Sequence, residues 1–297
     1  MLLGGIFLLR LLCRCDGGSF VSDVHLFEPQ DLYRRWEEGQ WNPFEIDLSA
    51  DREQWQTIDP EDRSLVFWVL SSLMVAEERI TTKFSGLVGA YGSEEEATFL
   101  ATQQVDEARH MQFYARFQDE VIADPATIAA HVERARAQIS PAFRQIFDGA
   151  LVEAHERIVA APGDAEAKVR FVTLYHQILE GTLGLTSFNF VTTYLEREGL
   201  LPGFVAGYSK IHHDEHRHIA YGTWYLREAV AADPALAEVV RETLRELLAP
   251  VAQSLTPPEL EGTDWDALGA GADEIREFAV GGLTRRLDVI GVPLSTL

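Results

Sequence analysis

The sequence has 297 residues, of which 46% are hydrophobic, and a formal net charge of −22. This length suffices for one large buried core, and the chain contains no long Pro/Gly/Ser-rich linker and no repeat typical of a solenoid. An acidic surface repels phosphate backbones, which argues against nucleic acid as a partner. The two cysteines, Cys13 and Cys15, cannot form a disulfide framework and favour a reducing, cytoplasmic compartment.

The N-terminal segment is apolar but matches neither a signal peptide nor a membrane span. Residues 2–12 are apolar apart from Arg10, so the positive charges lie within and after the apolar run, whereas a signal peptide carries them before it. The run is also far shorter than the ~20 residues that a membrane span requires. We predict a disordered or apolar tail over residues 1–25 and no membrane span. Residues 26–297 are predicted to form one helical domain, whose first part, up to residue 58, is mostly irregular.

The first long helix is predicted to begin at Asp59 and Pro60, an N-cap residue followed by a proline at the first helical position. Its apolar residues recur at helical spacing from Val66 to Leu87, and Gly89 marks its end. The pattern therefore predicts one amphipathic helix of about seven turns.

The second long helix is predicted to begin at Ser93, with Glu96 in the capping-box position, and to stop before Asp124. Weaker patterns indicate helices near residues 126–139 and 142–160. Further helices are predicted from residue 164 to about 198, from 202 to 232, from 233 to about 255, and near 273–290. No segment has convincing strand alternation, so the predicted fold class is all-α, built as a helical bundle.

Six polar residues interrupt the apolar stripes of four of these helices. They are Glu77 in the first helix, Glu107 and His110 in the second, Glu180 in the third, and Glu215 and His218 in the fourth. A spacing of three places each histidine beside its glutamate on one helix face. The segment Asp-Glu-x-Arg-His that contains such a pair occurs twice.

This set of residues predicts a site for two metal ions. Four carboxylates on core-facing stripes would repel one another, and each would cost several kcal/mol to bury alone. Two divalent cations supply four positive charges, and carboxylate with imidazole suits iron and manganese. The order Glu, Glu-x-x-His, Glu, Glu-x-x-His is the pattern of carboxylate-bridged dimetal bundles. Surface acids that recur by chance are the plain alternative, which the double Glu-x-x-His disfavours.

The aspartate before each paired glutamate is a candidate for holding a metal-bound histidine. Such histidines usually donate their second ring N–H to a carboxylate or a carbonyl. We therefore expect Asp106 and Asp214 each to accept a hydrogen bond from the histidine of the other pair. The alternative for each is an acidic residue on a solvent-exposed helix face. His176 neighbours the site, and the remaining histidines of the fourth helix are expected to face solvent.

With these motifs, the chain resembles the small-subunit superfamily of ribonucleotide reductase, a group of ferritin-like dimetal carboxylate proteins. The resemblance runs from the opening Trp-Asn-Pro-x-x-Ile-Asp at residues 41–47, through the four helices, to Thr223. It includes the segment Glu-Gly-Leu-Leu-Pro-Gly at residues 198–203. The resemblance implies a ferritin-like helical bundle with a dimetal site in its core.

Within the superfamily, the chain most resembles the ligand-binding oxidase branch. The first ligand, Glu77, is a glutamate where reductase subunits commonly have aspartate, and Tyr175 precedes Glu180 by five residues, as the crosslinking tyrosine of the branch does. This resemblance implies a homodimer, a bound long-chain fatty acid, and dioxygen-dependent formation of a tyrosine–valine ether. Ile80 stands where the branch has valine; its β-carbon is also tertiary, so a Tyr175–Ile80 ether is predicted.

The same resemblance implies how the metals are divided between the ligands. Glu77, Glu107 and His110 would form the manganese site, and Glu180, Glu215 and His218 would form the iron site. Two iron ions are the alternative content.

On a regular α-helix, Tyr175 should lie about 140° around the axis from Glu180. Residues near Gly181, Leu183 and Gly184 should line a tunnel to the metals.

One departure favours a second function. Tyr114 lies four residues after His110, where the oxidases have phenylalanine and many reductase small subunits have their radical tyrosine. A core aromatic residue with a bonded hydroxyl is the plain interpretation. The alternative function is therefore the radical-generating small subunit of a class I ribonucleoside-diphosphate reductase. The last tyrosine in the sequence is Tyr225, whereas reductase small subunits carry one in their C-terminal tail, so we expect the oxidase.

Overall fold

The computed structural model describes residues 24–122, 133, 136, 139–255 and 271–297. All regular secondary structure in these ranges is helical, so the predicted all-α class is confirmed. The predicted tail over residues 1–25 lies outside the described residues except for its last two. The predicted helix at 126–139 likewise lies outside them apart from residues 133, 136 and 139.

Eleven helices are labelled here in chain order. They are α1 (Pro29–Glu38), α2 (Ser49–Trp55), α3 (Pro60–Lys83), α4 (Ser85–Val88), α5 (Glu94–Glu120), α6 (Leu151–Ala160), α7 (Ala165–Val172), α8 (Leu185–Glu198), α9 (Pro202–Ala232), α10 (Leu236–Ser254) and α11 (Ala272–Ile290). A short turn of helix, Pro141–Arg144, and a π-helical segment, Gln145–Ala150, lead into α6. A second π-helical segment, Thr173–Gly184, joins α7 to α8.

Two short helices that the sequence analysis missed, α1 and α2, lie within the segment up to residue 58 that was predicted to be mostly irregular. Both helices are short and depend on contacts that are distant in the sequence. Leu32 of α1 is buried, and Trp36 donates a hydrogen bond to Asp106 on α5. In α2, the buried Asp51 accepts the N–H groups of Gly203 and Phe204 at 2.8 and 2.7 Å, which caps the start of α9.

The long helices form the bundle that surrounds the site. Helix α3 packs on α5, and α9 packs on the π-helical segment Thr173–Gly184 and on α5. Each of these four elements carries one of the predicted glutamates or glutamate–histidine pairs. No helix among the described residues has the length and apolar character needed to cross a membrane.

Helix ends follow the predicted capping residues with two differences. The hydroxyl of Ser93 accepts the N–H of Glu96 at 3.2 Å, as predicted for the N-terminus of α5. The Glu96 carboxylate, however, accepts a hydrogen bond from the N–H of Gly92 and not from that of Ser93. It also forms a buried ion pair with Lys168 at 2.8 Å. The first long helix ends at Lys83, earlier than predicted, because the chain turns there into the short helix α4.

The predicted helix from 164 to 198 is continuous, but its middle is π-helical rather than α-helical. The predicted angle of about 140° between Tyr175 and Glu180 was therefore wrong, because i→i+5 hydrogen bonds bring residues five apart close to one turn apart. The carbonyl of Gln177 in this segment also accepts from the Thr182 hydroxyl at 2.7 Å and from Arg286 at 3.2 Å. These contacts stabilise the wider turn.

Candidate metal centre

The structure brings all six predicted ligand side chains together in the middle of the bundle. Glu107, His110 and His218 have no exposed surface, and the other three are at most 7% exposed. They form two groups whose ligand atoms lie within 4.8 Å of one another, and each group can hold a metal ion. One group contains Glu77, Glu107, His110 and Glu215; the other contains Glu107, Glu180, Glu215 and His218.

Glu107 and Glu215 belong to both groups. A carboxylate has two oxygen atoms, so these two glutamates can bridge a pair of ions, while Glu77 and Glu180 each serve one side. The two Glu-x-x-His helices, α5 and α9, thus supply both the shared carboxylates and the imidazoles. The arrangement has approximate twofold character, since each metal position has one terminal glutamate and one histidine.

Asp106 and Asp214 lie crosswise behind the histidines. Nε2 of His110 contacts Asp214 Oδ2 at 3.2 Å, and Nε2 of His218 contacts Asp106 Oδ2 at 3.2 Å. This contact fixes the ring orientation and leaves Nδ1 of each histidine directed to the glutamates, within 3.3–3.8 Å of their oxygens. Nδ1 is therefore the ligand atom that each ring offers.

Four residues, whose role the sequence analysis did not predict, hold the aspartates. Arg109 donates to Asp106 at 2.7 Å. The indole N–H of Trp36 donates to Asp106 at 2.9 Å, and that of Trp41 donates to Asp214 at 2.7 Å. Arg217 bridges both aspartates, at 2.9 Å to Asp106 and 2.6 Å to Asp214. Arginine in the repeated Asp-Glu-x-Arg-His segment was a usable signal; the tryptophans are far away in the sequence and gave none.

The glutamates have further partners on the side of the π-helical segment. The Tyr175 hydroxyl donates to Glu107 Oε1 at 2.9 Å. The amide of Gln103, another residue that the sequence did not indicate, donates to Glu180 at 3.0 Å and more weakly to Glu107 at 3.4 Å. Its amide oxygen contacts Nε2 of His176, a buried ring beside Tyr175. His176 therefore lies behind the ligands and not among them.

Without cations, the site distributes protons unevenly. Burial raises the pKa of Glu77, Glu180 and Glu215, and neighbouring glutamates raise it further. Burial also acts to raise the pKa of Glu107, but the charge of His218, the contacts with His110 and the Tyr175 hydroxyl lower it to about 2. Burial lowers the pKa of His110 and His218, but their carboxylate partners overcome it, so both pKa values are raised.

The hydrogen bonds that are missing from the site match the requirements of metal ions. Buried polar atoms are normally hydrogen-bonded. In the part of the chain that is described, each of the six side chains has one buried atom without such a partner: Oε2 of Glu77, Glu107, Glu180 and Glu215, and Nδ1 of His110 and His218. One orphaned atom on each of six converging side chains fits direct coordination of two divalent cations.

An apolar cavity of about 250 Å³ reaches the carboxylates. Glu77, Glu180 and Glu215 contribute to its wall at one end, and most of the remaining wall is aliphatic or aromatic. Leu183 and Gly184 line it as expected. Gly181 is absent from the wall; instead it lies against Arg286.

Two further residues from the sequence analysis line the cavity. Ile80 is 8% exposed, and Tyr114 is 2% exposed. Among the described residues, the Tyr114 hydroxyl has no hydrogen-bond partner, contrary to the bonded core aromatic that we expected. Of the other histidines on α9, His213 and His216 are exposed, whereas His212 is half-buried and stacked on Phe188.

The helical bundle and its buried carboxylate–imidazole groups define the chain as a dimetal carboxylate protein of the ferritin-like class. The family model described as "Ribonucleotide reductase, small chain" matches residues 27–262, and the chain belongs to that family. The family resemblance stated from the sequence is thereby confirmed.

Solved structures of R2-like ligand-binding oxidase variants have the same fold. A variant with an anaerobically reconstituted Mn/Fe cofactor has 25% sequence identity and a TM-score of 0.77, with 90% of this chain and 94% of that chain covered. An aerobically reconstituted variant has 25% identity and a TM-score of 0.75, with coverages of 88% and 92%. The predicted resemblance to this branch is confirmed at the level of fold and family.

Proposed function

We propose that the protein is a dioxygen-activating dimetal oxidase with one manganese and one iron ion. The observation that carries this proposal is the set of six converging side chains, each with one buried atom that lacks a hydrogen bond. Members of the family are typically oxidoreductases that activate dioxygen, and the structurally similar oxidases described above hold an Mn/Fe cofactor. The ligand chemistry fits both metals.

In this proposal, Glu77 and His110 hold the manganese ion, Glu180 and His218 hold the iron ion, and Glu107 and Glu215 are available to both. When bound, the metals supply reducing electrons and a place for dioxygen to react. The chain's own residues keep the centre in place: Asp106 and Asp214 orient the imidazoles through Nε2. The cavity beside the carboxylates has a mostly apolar wall.

The apolar cavity supports a long-chain fatty acid or a similar ligand. Its wall is mostly aliphatic and aromatic, and the polar end is formed by the glutamates. A carboxylate head would lie at the metal end, as a further anion for two cations, and the hydrocarbon chain would fill the apolar part. The structurally similar oxidases are described as ligand-binding, and the fatty acid is the ligand that the resemblance stated from the sequence implies.

We further propose an ether bond between Tyr175 and Ile80. The Tyr175 hydroxyl lies on Glu107, and Ile80 shares the cavity wall with Glu77, so the two residues border the site on different helices. The bond replaces the O–H of Tyr175 and the tertiary, comparatively weak Cβ–H of Ile80. Forming the bond would release two protons and two electrons. The two metals, if bound, would supply the other two electrons for the four-electron reduction of dioxygen to water, and solvent would supply the other two protons.

A radical-generating reductase small subunit is the second candidate, and Tyr114 favours it. This tyrosine is buried, its hydroxyl has no hydrogen-bond partner in the described part of the chain, and burial, Tyr208 and the nearby glutamates raise its pKa. A tyrosine that loses one electron near the centre would serve a partner protein rather than a ligand in the cavity. The two candidates differ in which tyrosine changes after exposure to air.

Intact mass measured after controlled metal loading separates them. Metal-free protein is loaded with Mn(II) and Fe(II) without oxygen and then exposed to air. Its intact mass is measured, and its proteolytic peptides are analysed by mass spectrometry. We expect the loss of two hydrogen atoms and a joined pair of peptides that contain Ile80 and Tyr175. The Tyr175→Phe variant should keep both metals and lose the link. Glu107→Ala should bind fewer than two metals per chain, because it removes a carboxylate common to both positions.

Two results would contradict these expectations in different ways. Unlinked peptides in fully metallated, air-exposed protein would reject the ether. If a tyrosyl radical signal then disappears in Tyr114→Phe, the reductase function is supported instead. A wild-type chain that binds no transition metal would reject both candidates.

A further inference from the structure

Three tyrosines line the cavity, and two of them, Tyr114 and Tyr208, differ in their hydrogen bonding. Tyr208 and Tyr114 are both almost fully buried and both line the cavity. The Tyr208 hydroxyl is paired with the Ser187 hydroxyl at 2.9 Å. The Tyr114 hydroxyl has no partner among the described residues. A buried hydroxyl of this kind is unfavourable unless another molecule supplies an acceptor.

The position of Tyr114 indicates where that acceptor lies. Tyr114 lines the same cavity as Glu77 and Glu215. Its ring packs against Phe113 and Phe204, at centroid distances of 5.8 and 6.5 Å, so aromatic neighbours hold it in place. The free hydroxyl therefore belongs to an oriented ring in the wall of a cavity that the carboxylates also border.

We propose that Tyr114 is the residue that selects an oxygen-headed ligand, by donating a hydrogen bond to the head oxygen of the molecule that fills the cavity. The inference rests on the ligand-binding part of the proposed function and adds its polar contact. The apolar wall accepts a long hydrocarbon, whereas a buried hydroxyl without a partner among the described residues distinguishes an acid or an alcohol from an alkane. A solvent molecule on the metals is the competing acceptor.

The chain offers a matched pair of variants to separate these acceptors. Tyr114→Phe and Tyr208→Phe each remove one hydroxyl from the same cavity wall, with the ring retained. Palmitic acid, hexadecanol and hexadecane are the probes, added to delipidated protein that is loaded with Mn(II) and kept without oxygen. Occupancy is read by native mass spectrometry over a range of probe concentrations, so no turnover is needed.

We expect Tyr114→Phe to weaken palmitic acid and hexadecanol roughly five- to tenfold, the effect of one lost hydrogen bond, and to leave hexadecane unchanged. Tyr208→Phe should keep the wild-type ratio of hexadecanol to hexadecane affinity. The melting temperatures of the ligand-free proteins should also diverge. Tyr208→Phe should lower it, since Ser187 loses its partner, and Tyr114→Phe should leave it equal or raise it, since no bond is lost.

Each contrary result has a distinct meaning. An unchanged hexadecanol-to-hexadecane ratio in Tyr114→Phe assigns the hydroxyl to solvent and overturns the inference, while the ligand in the cavity stands. A ligand-free Tyr114→Phe protein that is destabilised as much as Tyr208→Phe shows a partner within the protein and also overturns it. Wild-type protein that binds none of the three probes rejects the ligand-binding part of the proposed function together with the inference.

Discussion

At the scale of single residues, the ligands of the centre have opposing protonation requirements. Glu77, Glu180 and Glu215 have raised pKa values because they are buried beside other carboxylates. His110 and His218 have raised pKa values because their carboxylate partners overcome the effect of burial. All five groups therefore hold protons more tightly in the folded, metal-free chain than in the unfolded chain. Metal binding must displace these protons.

This uneven protonation predicts a pH dependence for the metal-free protein. A raised folded pKa gives stability that is present below the unfolded value and is lost as pH rises through the folded value. The unfolded values are 4.5 for the glutamates and 6.5 for the histidines. Above 6.5, the stability of the metal-free protein should fall as pH rises, because the folded chain keeps protons that the unfolded chain has already released. Thermal unfolding followed from neutral to alkaline pH measures this.

Two comparisons make the pH prediction specific. Metal-loaded protein should lose less stability over the same range, because cations replace the protons. Glu180→Gln, whose amide resembles the protonated acid, should flatten the decline of the metal-free chain. On the acid side, the lowered pKa of Glu107, about 2, gives stability that is present above 4.5 and lost as pH falls toward 2. A metal-free protein that becomes more stable with rising alkaline pH would contradict the assignment.

The six converging residues could be predicted from the sequence because each one replaces an apolar residue on a helical stripe. Periodicity alone indicates that such a side chain points inward, and two Glu-x-x-His pairs identify the chemistry. The residues behind them could not be predicted in the same way. Trp36 and Trp41 reach their aspartates across 70 and 173 positions, and Gln103 reaches Glu180 across 77. Such contacts depend on the packing of whole helices.

At the scale of elements, the sequence correctly predicts the long helices and misses the short and irregular ones. The predicted end at residue 232 agrees with α9, and Gly199 ends α8 in the left-handed region at φ 66°. The π-helical segment Thr173–Gly184 has no separate periodic signature, because residues 173–182 are all buried and no apolar stripe alternates with an exposed polar face. It is nevertheless the element that brings Tyr175 to Glu107.

The contact between this π-helical segment and α9 provides an element-scale prediction. A Cβ atom at Gly222 would lie 2.2 Å from the Cβ of His176, and both atoms belong to rigid parts of packed helices. Gly222→Ala must therefore separate the two elements that carry Glu180, Glu215 and His218. We expect a loss of about 1–3 kcal/mol in the free energy of unfolding, together with weaker metal binding, measured by denaturant titration and metal analysis.

Gly149 is the matched control for this substitution. Gly222 lies on the α-helix α9, whereas Gly149 lies in the π-helical segment Gln145–Ala150. A Cβ atom at Gly149 would meet nothing within 4 Å. Gly149→Ala should be neutral or stabilising by up to about 1 kcal/mol, because alanine loses less backbone entropy in a helix. Equal effects of the two substitutions would show that backbone entropy dominates and that the approach at Gly222 is not tight.

At the scale of the whole molecule, charge opposes association. Each chain has a formal charge of −22, so two copies repel each other at low ionic strength. A homodimer, which the resemblance to the oxidase branch implies, therefore needs an apolar contact that outweighs the repulsion. We expect this contact to include parts of α3 and α5. Val105 on α5 is an apolar residue with 49% of its surface exposed, consistent with such a surface.

The last prediction is that the protein is a dimer whose affinity rises with salt. Screening shortens the range of the repulsion and leaves the apolar contact intact, so added salt should strengthen the dimer. Val105→Asp should raise the dissociation constant about tenfold or more, since it buries a charge in a symmetric contact. Val159→Asp, at a 56% exposed valine on α6, should leave it unchanged. Sedimentation that gives the single-chain mass of 33.3 kDa at micromolar concentration and moderate salt would reject the dimer. If Val105→Asp and Val159→Asp change the dissociation constant equally, the effect of Val105→Asp is not specific to α5, and the interface is not at Val105.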